Sequence, residues 1–297
     1  MYAELLSHSD LEDQRLILPP AERRRLLSLA YGYVGTLADS EDIVQEALLR
    51  LAQTDPAGIE NTEAWLTTVV TRLAIDKLRS AQHRREVYTG EWLPEPLFRA
   101  PDAEQQAITH SRLSVGLLYL LEKLEPEQRV VFVLREVFDY AYGAIAGILG
   151  KSEAACRQLM VRARTALDRS RHVPPVPQAL ASSLISRFIE ALSQGDEAAL
   201  LSILTDDAVL VADGGGKVQS ILNPLHGADH VSRFFLGLLR KLGNVFETRP
   251  AMVNGRPGML TFRDGQLVSV ASIDVKNGRI GAIYSVNNPD KLRGGWA

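Results

Sequence analysis

Two proline-rich breaks constrain the fold of this 297-residue chain more than any other feature. The first runs from about Tyr88 to Pro101 and includes Pro94 and Pro96, which cannot lie inside a helix. The second, at residues 173–177, reads Val-Pro-Pro-Val-Pro and is a short, stiff spacer. The breaks divide the chain into three parts, and its length agrees with two or three domains.

The apolar pattern changes from part to part. It has helical spacing over residues 26–85 and again over residues 113–164, on either side of the first break. After the second break, a helical stretch over 180–204 is followed by segments rich in β-branched residues. These predicted strands lie at 208–212, 259–262, 267–273 and 280–286. The pattern predicts two all-α domains followed by an α+β domain.

The distribution of charge carries more information than the formal net charge of -3. Basic residues are concentrated over 72–85 and 151–171, while acidic residues cluster at 39–42. Such helices present positive faces to nucleic acid on an acidic background. The single Cys156 excludes an internal disulfide framework, as expected of the reducing cytoplasm, and we expect a packed, inert thiol. Neither a signal peptide nor a membrane span is expected.

The segment from Tyr142 to Arg164 has the pattern of a helix-turn-helix, with a turn at Gly150-Lys151 and Ser152 as the cap of the second helix. Its small residues allow two short helices to cross closely, and we expect Ala155, Leu159 and Ala163 to face the first helix. The alternative is an ordinary helical hairpin with a solvated basic face. The predicted contacts to bases and phosphates are Ser152, Glu153, Arg157, Gln158, Arg162 and Arg164.

The segment from Leu29 to Ala52, which contains Asp-Ser-Glu-Asp-Ile-Val-Gln-Glu, resembles region 2 of extracytoplasmic-function sigma factors of the sigma-70 family. The resemblance continues through Trp65-Leu66 and residues 76–79, and the helix-turn-helix is similar to region 4. It implies that the helix with the acidic motif docks on the β′ clamp helices of RNA polymerase core, through Asp39, Asp42, Gln45 and Glu46. The later helix would engage the −10 promoter element, with a basic track of Arg72, Lys77, Arg79, Arg84 and Arg85. Region 4 would read the −35 element.

Three further segments resemble signatures of the subgroup with a fused SnoaL-like domain: Trp-Leu-Pro-Glu-Pro at 92–96, Asp-Gly-Gly-Gly-Lys at 213–217, and Asn-Pro-Asp-Lys-Leu at 288–292. The resemblance implies a cone-shaped α+β domain of the nuclear-transport-factor-2 type that contacts the sigma core. The glycines lack the remainder of a phosphate-loop pattern and fit a tight turn or a close contact. The predicted regulatory residues are Trp92, Pro94, Pro96, Asp213, Gly214, Gly215, Gly216, Lys217, Asn288, Pro289, Asp290 and Lys291.

Two other functions compete with the sigma-factor hypothesis. A conventional helix-turn-helix regulator with a ligand-sensing domain would bind DNA without polymerase and would not need the acidic helix. An enzyme would need an acid or base in the cone-shaped cavity, where Asp206, Asp207, His226 and His230 are the candidates. No pairing among these four can be deduced, so we do not expect an enzyme. No His/Cys/Asp cluster has metal-ligand spacing, and we expect neither cofactor nor metal.

The sequence therefore predicts a cytoplasmic sigma factor that directs RNA polymerase core to promoter DNA and is modulated by its own carboxy-terminal domain. A small molecule in that domain's cavity is left open as a further partner. The predicted domains are region 2 at 1–87, a linker at 88–106, region 4 at 107–172, a proline-rich linker at 173–178 and the SnoaL-like domain at 179–297.

Overall fold

A computed structural model describes residues 18–85, 88–98, 113–168, 176–243 and 245–293. The chain divides into two compact units, each of which is discontinuous in sequence. Of the described residues, the first unit contains 18–82 and 124–165, and the second contains 83–85, 88–98, 113–123, 166–168, 176–243 and 245–293. None of the described helices has the length and apolar character needed to cross a membrane.

The first unit is helical. Its helices are α1 (Pro20–Val34), α2 (Leu37–Gln53), most of α3 (Thr62–Arg85), α5 (Pro126–Phe132), α6 (Tyr142–Leu149) and nearly all of α7 (Glu153–Asp168). Every residue of α1 from Leu26 to Val34 is buried, which makes this helix the centre of the unit. Arg25 at the edge of this core bonds both the hydroxyl of Thr67 on α3 at 2.8 Å and that of Tyr140 at 2.7 Å.

The second unit is an α+β domain that also includes the described linker residues 88–98 and the short helix α4 (Val115–Leu121). Its other helices are α8 (Gln178–Gln194), α9 (Glu197–Ile203) and α10 (Ala228–Leu242). The strands are β1 (Leu204–Asp213), β2 (Leu225–His226), β3 (Phe246–Val253), β4 (Arg256–Arg263), β5 (Gln266–Lys276) and β6 (Arg279–Val286). They form one sheet in the order β2-β1-β6-β5-β4-β3, in which β1 and β6 are parallel and the other pairs antiparallel.

Two apolar clusters hold the α+β domain together. The larger joins helices α8, α9 and α10 to the sheet around Phe188, Val231 and Ile283. The smaller contains Val211, Val270 and Tyr284 from the sheet together with Leu93 from the linker and Val115 from α4. Linker and α4 residues are therefore part of this domain's core, and burial of such side chains contributes about 1.5–3 kcal/mol each.

Several sequence predictions need correction here. The helical stretch predicted over 180–204 is divided at Gly195, which ends α8 in the left-handed conformation, and the sequence prediction missed α10 and β3. The following Gly227 predicts a loop at His226, but His226 lies in β2. The sequence predicts Asp39 as the N-cap of the acidic helix, but α2 begins earlier. Its N-cap is Thr36, whose hydroxyl donates to the Asp39 carboxylate at 2.8 Å, so Asp39 lies inside the first turn.

Candidate functional site

The acidic helix α2 buries one stripe of residues, including Ile43, Val44 and Ala47, and turns its polar residues outward. Asp42 and Gln45 are exposed. The other two predicted polymerase contacts are engaged within the unit. Glu46 is half-exposed and pairs with Arg50 at 2.8 Å, and Asp39 pairs with Lys77 of α3 at 2.6 Å. The helix presents a mixed surface of carboxylates and amides.

Helix α3 carries the predicted −10 track. Arg72 and Arg79 are exposed, but Lys77 is half-buried and lies 4.0 Å from Asp42 as well as against Asp39. Lys77 therefore links α3 to the acidic helix α2. Arg79 lies 3.6 Å from Glu127 at the start of α5. The side chains of Arg84 and Arg85 lie outside the described residues.

The helix-turn-helix is formed as predicted by α6 and α7. Gly150 ends α6 in the left-handed conformation, with φ 63°, and the hydroxyl of Ser152 accepts from the Ala155 backbone N–H as the cap of α7. Five of the predicted DNA contacts are exposed on α7: Glu153, Arg157, Gln158, Arg162 and Arg164. The Ser152 side chain therefore has a structural role as the cap of α7.

The buried face of α7 differs from the predicted one. Cys156, Met160 and Ala163 are buried, whereas Ala155 and Leu159 are half-exposed. The buried positions follow the four- and three-residue spacing of a single helix face. Cys156 is fully buried, and burial raises the pKa of its thiol, in agreement with the expected inert residue.

Two of the exposed basic side chains already have partners in the unit. Arg157 pairs with Glu153 at 2.7 Å and its guanidinium lies 5.0 Å from the centre of the Tyr142 ring. Arg164 pairs with Glu136 at 2.6 Å. These pairs are exposed, so each contributes at most about 1 kcal/mol and can be exchanged for phosphate contacts.

The three sequence signatures of the linker, the glycine loop and the tail meet at one carboxylate. Asp213 at the end of β1 is fully buried. One of its oxygens accepts from the Tyr88 hydroxyl at 2.6 Å and from the Gly215 N–H at 3.0 Å. The other accepts from the Leu93 N–H at 2.9 Å and from the Lys291 ammonium at 2.7 Å. We call Asp213, Lys291, Tyr88 and Leu93 the carboxylate cluster.

Lys291 completes this cluster from the tail. Its ammonium donates to the Leu93 carbonyl and lies 4.1 Å from the centre of the Trp92 ring. The Lys291 side chain is only 10% exposed, so this is a buried ion pair, with Asp213 at 0%. A buried pair of this kind is stable only while both partners are present. Burial and the adjacent Asp213 carboxylate raise the pKa of Tyr88 well above its usual range.

The glycines of the loop are required by close contacts. Gly215 and Gly216 have φ of 62° and 68°. A Cβ on Gly215 would lie 2.3 Å from the amide nitrogen of Asn288, and one on Gly216 would lie 3.1 Å from Thr89. The Asn288 amide donates to the Tyr88 hydroxyl at 3.0 Å, and Lys217 pairs with Asp290. The loop thus packs closely against residues of the linker and the tail.

Sequence reasoning missed a second group of contacts in the same domain. Asn254, in the β3–β4 turn, bonds to Leu97 of the linker and to Leu113 ahead of α4. Tyr284 of β6 donates to the buried Asp274 carboxylate at 3.1 Å, and its ring lies 5.7 Å from that of Tyr119 on α4. The Asn254-Gly255 dipeptide was the available signal, since it marks a hairpin turn.

The candidate residues for an enzyme have other partners. Asp206 pairs with Arg279 at 3.1 Å and Asp207 with Lys276 at 2.8 Å, all on the sheet. The Nδ1 of His230 lies 2.8 Å from the His226 carbonyl oxygen. Among the described residues, no group of three His, Cys, Asp or Glu side chains is arranged to hold a metal ion.

Comparison with known proteins decides between these alternatives. Residues 21–84 match the family model for sigma-70 region 2 and residues 114–167 that for sigma-70 region 4. The chain is 39% identical over 287 residues to the ECF RNA polymerase sigma factor SigJ of Mycobacterium tuberculosis, an alignment that covers 92% of each chain. The chain belongs to the extracytoplasmic-function (ECF) RNA polymerase sigma factors. Its function is therefore to direct RNA polymerase core to promoters, in a family that is not one of enzymes.

Two further similarities extend over nearly the whole chain. The probable ECF sigma factor SigI of Mycobacterium tuberculosis is 32% identical over 275 residues, with 92% of each chain covered. The crystal structure of Mycobacterium tuberculosis SigJ matches with a TM-score of 0.78 and 37% identity, over 93% of this chain and 97% of that one. This match confirms the predicted fold class, two helical sigma regions followed by an α+β domain.

Proposed function

We propose that the α+β domain regulates this sigma factor by holding the connection between regions 2 and 4 at Asp213. The buried Asp213–Lys291 pair carries this proposal, because both charges are buried and both bond Leu93 of the linker. A linker that only spanned the two regions would not need a buried ion pair in another domain. Release of the linker breaks the bonds of Tyr88 and Leu93 to Asp213 and of Lys291 to Leu93, so it changes the surroundings of both charges at once.

The residue roles implied by the family form the second part of the proposal. Asp39, Asp42, Gln45 and Glu46 bind the β′ clamp helices of core polymerase, α3 engages the −10 element, and α7 reads the −35 element. Lys77 supports Asp39 rather than binding DNA. The exposure of Asp42 and of the arginines on α7 supports these roles. The site of action is the cytoplasm, where polymerase works.

Core binding is tested by neutralising the two central carboxylates of α2. We expect the Asp42→Asn, Glu46→Gln double variant to bind purified core polymerase at least tenfold more weakly, since it loses charge at a polar interface. Asp229→Asn, on helix α10 of the other unit, is the matched control for loss of an exposed carboxylate with a salt-bridge partner. Unchanged core affinity of the double variant would contradict the assignment of α2 and would favour a regulator that acts without polymerase.

Regulation is better tested by a point substitution than by truncation. Removing everything after Val176 would uncover Leu93 and Val115, which are packed in the core of the α+β domain. Asp213→Asn removes the buried charge and keeps the volume. Asp207→Asn on the same strand is the control, because Asp207 forms an exposed pair. We expect run-off transcription to change several-fold for Asp213→Asn alone, and equal rates for both variants and wild type would refute the regulatory contact.

A further inference from the structure

The α+β domain makes a second connection to the chain, separate from the carboxylate cluster, at Asn254. The backbone N–H of Asn254 donates to the Leu97 carbonyl at 2.8 Å, and its side-chain oxygen accepts from the Leu97 N–H at 2.9 Å. Its side-chain amide donates to the Leu113 carbonyl at 3.0 Å. One side chain thus joins Leu97 of the linker to Leu113, two residues before α4.

The position of Asn254 suits this task. It is only 3% exposed and has φ of 49°, a left-handed conformation that Asn adopts more readily than most residues. In this conformation the turn directs both the backbone and the amide toward the chain segments that it bonds. A hairpin turn needs only a residue in the left-handed conformation. The buried side-chain amide of Asn254 does more, because it bonds Leu97 and Leu113, which lie outside the turn.

Helix α4 lies closely on the same domain. A Cβ on Gly116 would lie 2.5 Å from an Asp274 oxygen and 2.7 Å from the Tyr284 ring, so the helix backbone touches β5 and β6 directly. The Tyr119 hydroxyl donates to Glu91 of the linker at 2.9 Å. Ser114 caps the helix through the Leu117 N–H. The helix is therefore held at its start, along its face and through the linker.

Helix α4 is also part of region 4. The match to sigma-70 region 4 begins at residue 114, while the residues of that match from Leu124 to Thr165 belong to the other compact unit. Only residues 122–125 separate α4 from α5. A contact that fixes α4 therefore restricts where the remainder of region 4 can go.

We propose that Asn254 is a positioning residue through which the α+β domain holds the first helix of region 4 as well as the linker. This inference rests on the proposed regulatory function and deepens it. The carboxylate cluster holds residues 88–93, and Asn254 holds the chain at 97 and 113. The regulated element is then region 4 itself, and not only the linker that precedes it.

Hydrogen exchange on the full-length protein tests the contact without polymerase. Asn254→Gly keeps the left-handed turn and removes both side-chain bonds, and Asn254→Asp keeps the acceptor but removes the donor to Leu113. Asn277→Gly is the matched control, because Asn277 has φ of 52° in the exposed β5–β6 turn. We expect Asn254→Gly to raise exchange at Leu97 and over 115–121 on the order of tenfold, and Asn254→Asp to raise only the latter.

Two results would overturn the proposal. One is wild-type exchange over 115–121 in Asn254→Gly, and the other is an equal rise across the whole α+β domain, which would make Asn254 a turn residue only. The outcome is distinguishable from failure of the proposed function. If Asp213→Asn left transcription unchanged while Asn254→Gly released α4, the contact would stand and the regulatory function would fall.

Discussion

The buried pair of Asp213 and Lys291 gives a stability prediction that the structure makes quantitative. Asp213→Asn leaves a buried ammonium without its counter-charge, and Lys291→Met leaves a buried carboxylate. Each single change should destabilise the α+β domain by about 3 kcal/mol, the usual cost of breaking a buried pair from one side. The double variant removes both charges, so its cost should fall short of the sum by about 2 kcal/mol.

The predicted loss of stability is set by the burial of the two charges and not by the distance between them. A second ion pair in the same domain provides the comparison. Asp207 and Lys276 form a pair of similar length, 2.8 Å against 2.7 Å, on the same sheet. Both side chains of that pair are 40% exposed, against 0% and 10% for Asp213 and Lys291. The corresponding cycle with Asp207→Asn and Lys276→Met should give a coupling below about 1 kcal/mol.

Urea unfolding followed by Trp92 fluorescence measures both cycles, since the Lys291 ammonium lies 4.1 Å from the centre of that ring. The other two tryptophans, Trp65 and Trp296, are first replaced by Phe so that the signal reports this contact alone. Equal, small couplings for the two pairs would refute the reasoning, because they would show that the Asp213–Lys291 pair is not desolvated in solution.

Three other predictions follow from single contacts. Gly215→Ala should destabilise the α+β domain by more than about 1 kcal/mol in urea unfolding, and by more than Gly265→Ala, which is equally left-handed but has open space around it. Because the pKa of Tyr88 is raised in the folded protein, stability should fall as pH rises above about 10, and Tyr88→Phe should reduce this loss in alkaline melting curves. Arg157→Ala should weaken binding to a −35 element roughly 10- to 100-fold in a footprinting titration, whereas Arg187→Ala on α8 should not.

The three segments that form the carboxylate cluster could be singled out from the sequence, because each of them leaves a trace there. Three glycines after a strand indicate a close contact, and prolines mark the linker that makes it. The sequence could not supply the partner of each group. Nothing in the spacing of Tyr88, Leu93 and Lys291 shows that all three reach one carboxylate. Their meeting depends on the tertiary structure, which brings the end of β1 next to the tail.

The missed elements have physical causes. Strand β3 contains Pro250, which argues against a central strand, and the structure shows why it is tolerated: β3 is the edge of the sheet. Asn254 was overlooked because a hairpin asparagine is ordinarily explained by its own turn. On α7, spacing predicted the correct helix but the wrong face, since small residues such as Ala155 suit both a helix crossing and a half-exposed surface.

The most direct test of the account measures the linker contact and transcription in the same pair of variants. Asp213→Asn changes the carboxylate that accepts from the Leu93 N–H, whereas Asp207→Asn changes an exposed carboxylate on the same strand that pairs with Lys276. We expect that Asp213→Asn speeds hydrogen exchange at the Leu93 amide and changes run-off transcription several-fold, while Asp207→Asn leaves both at their wild-type values. Faster exchange at Leu93 with a wild-type transcription rate would contradict the claim that this domain acts by holding the linker.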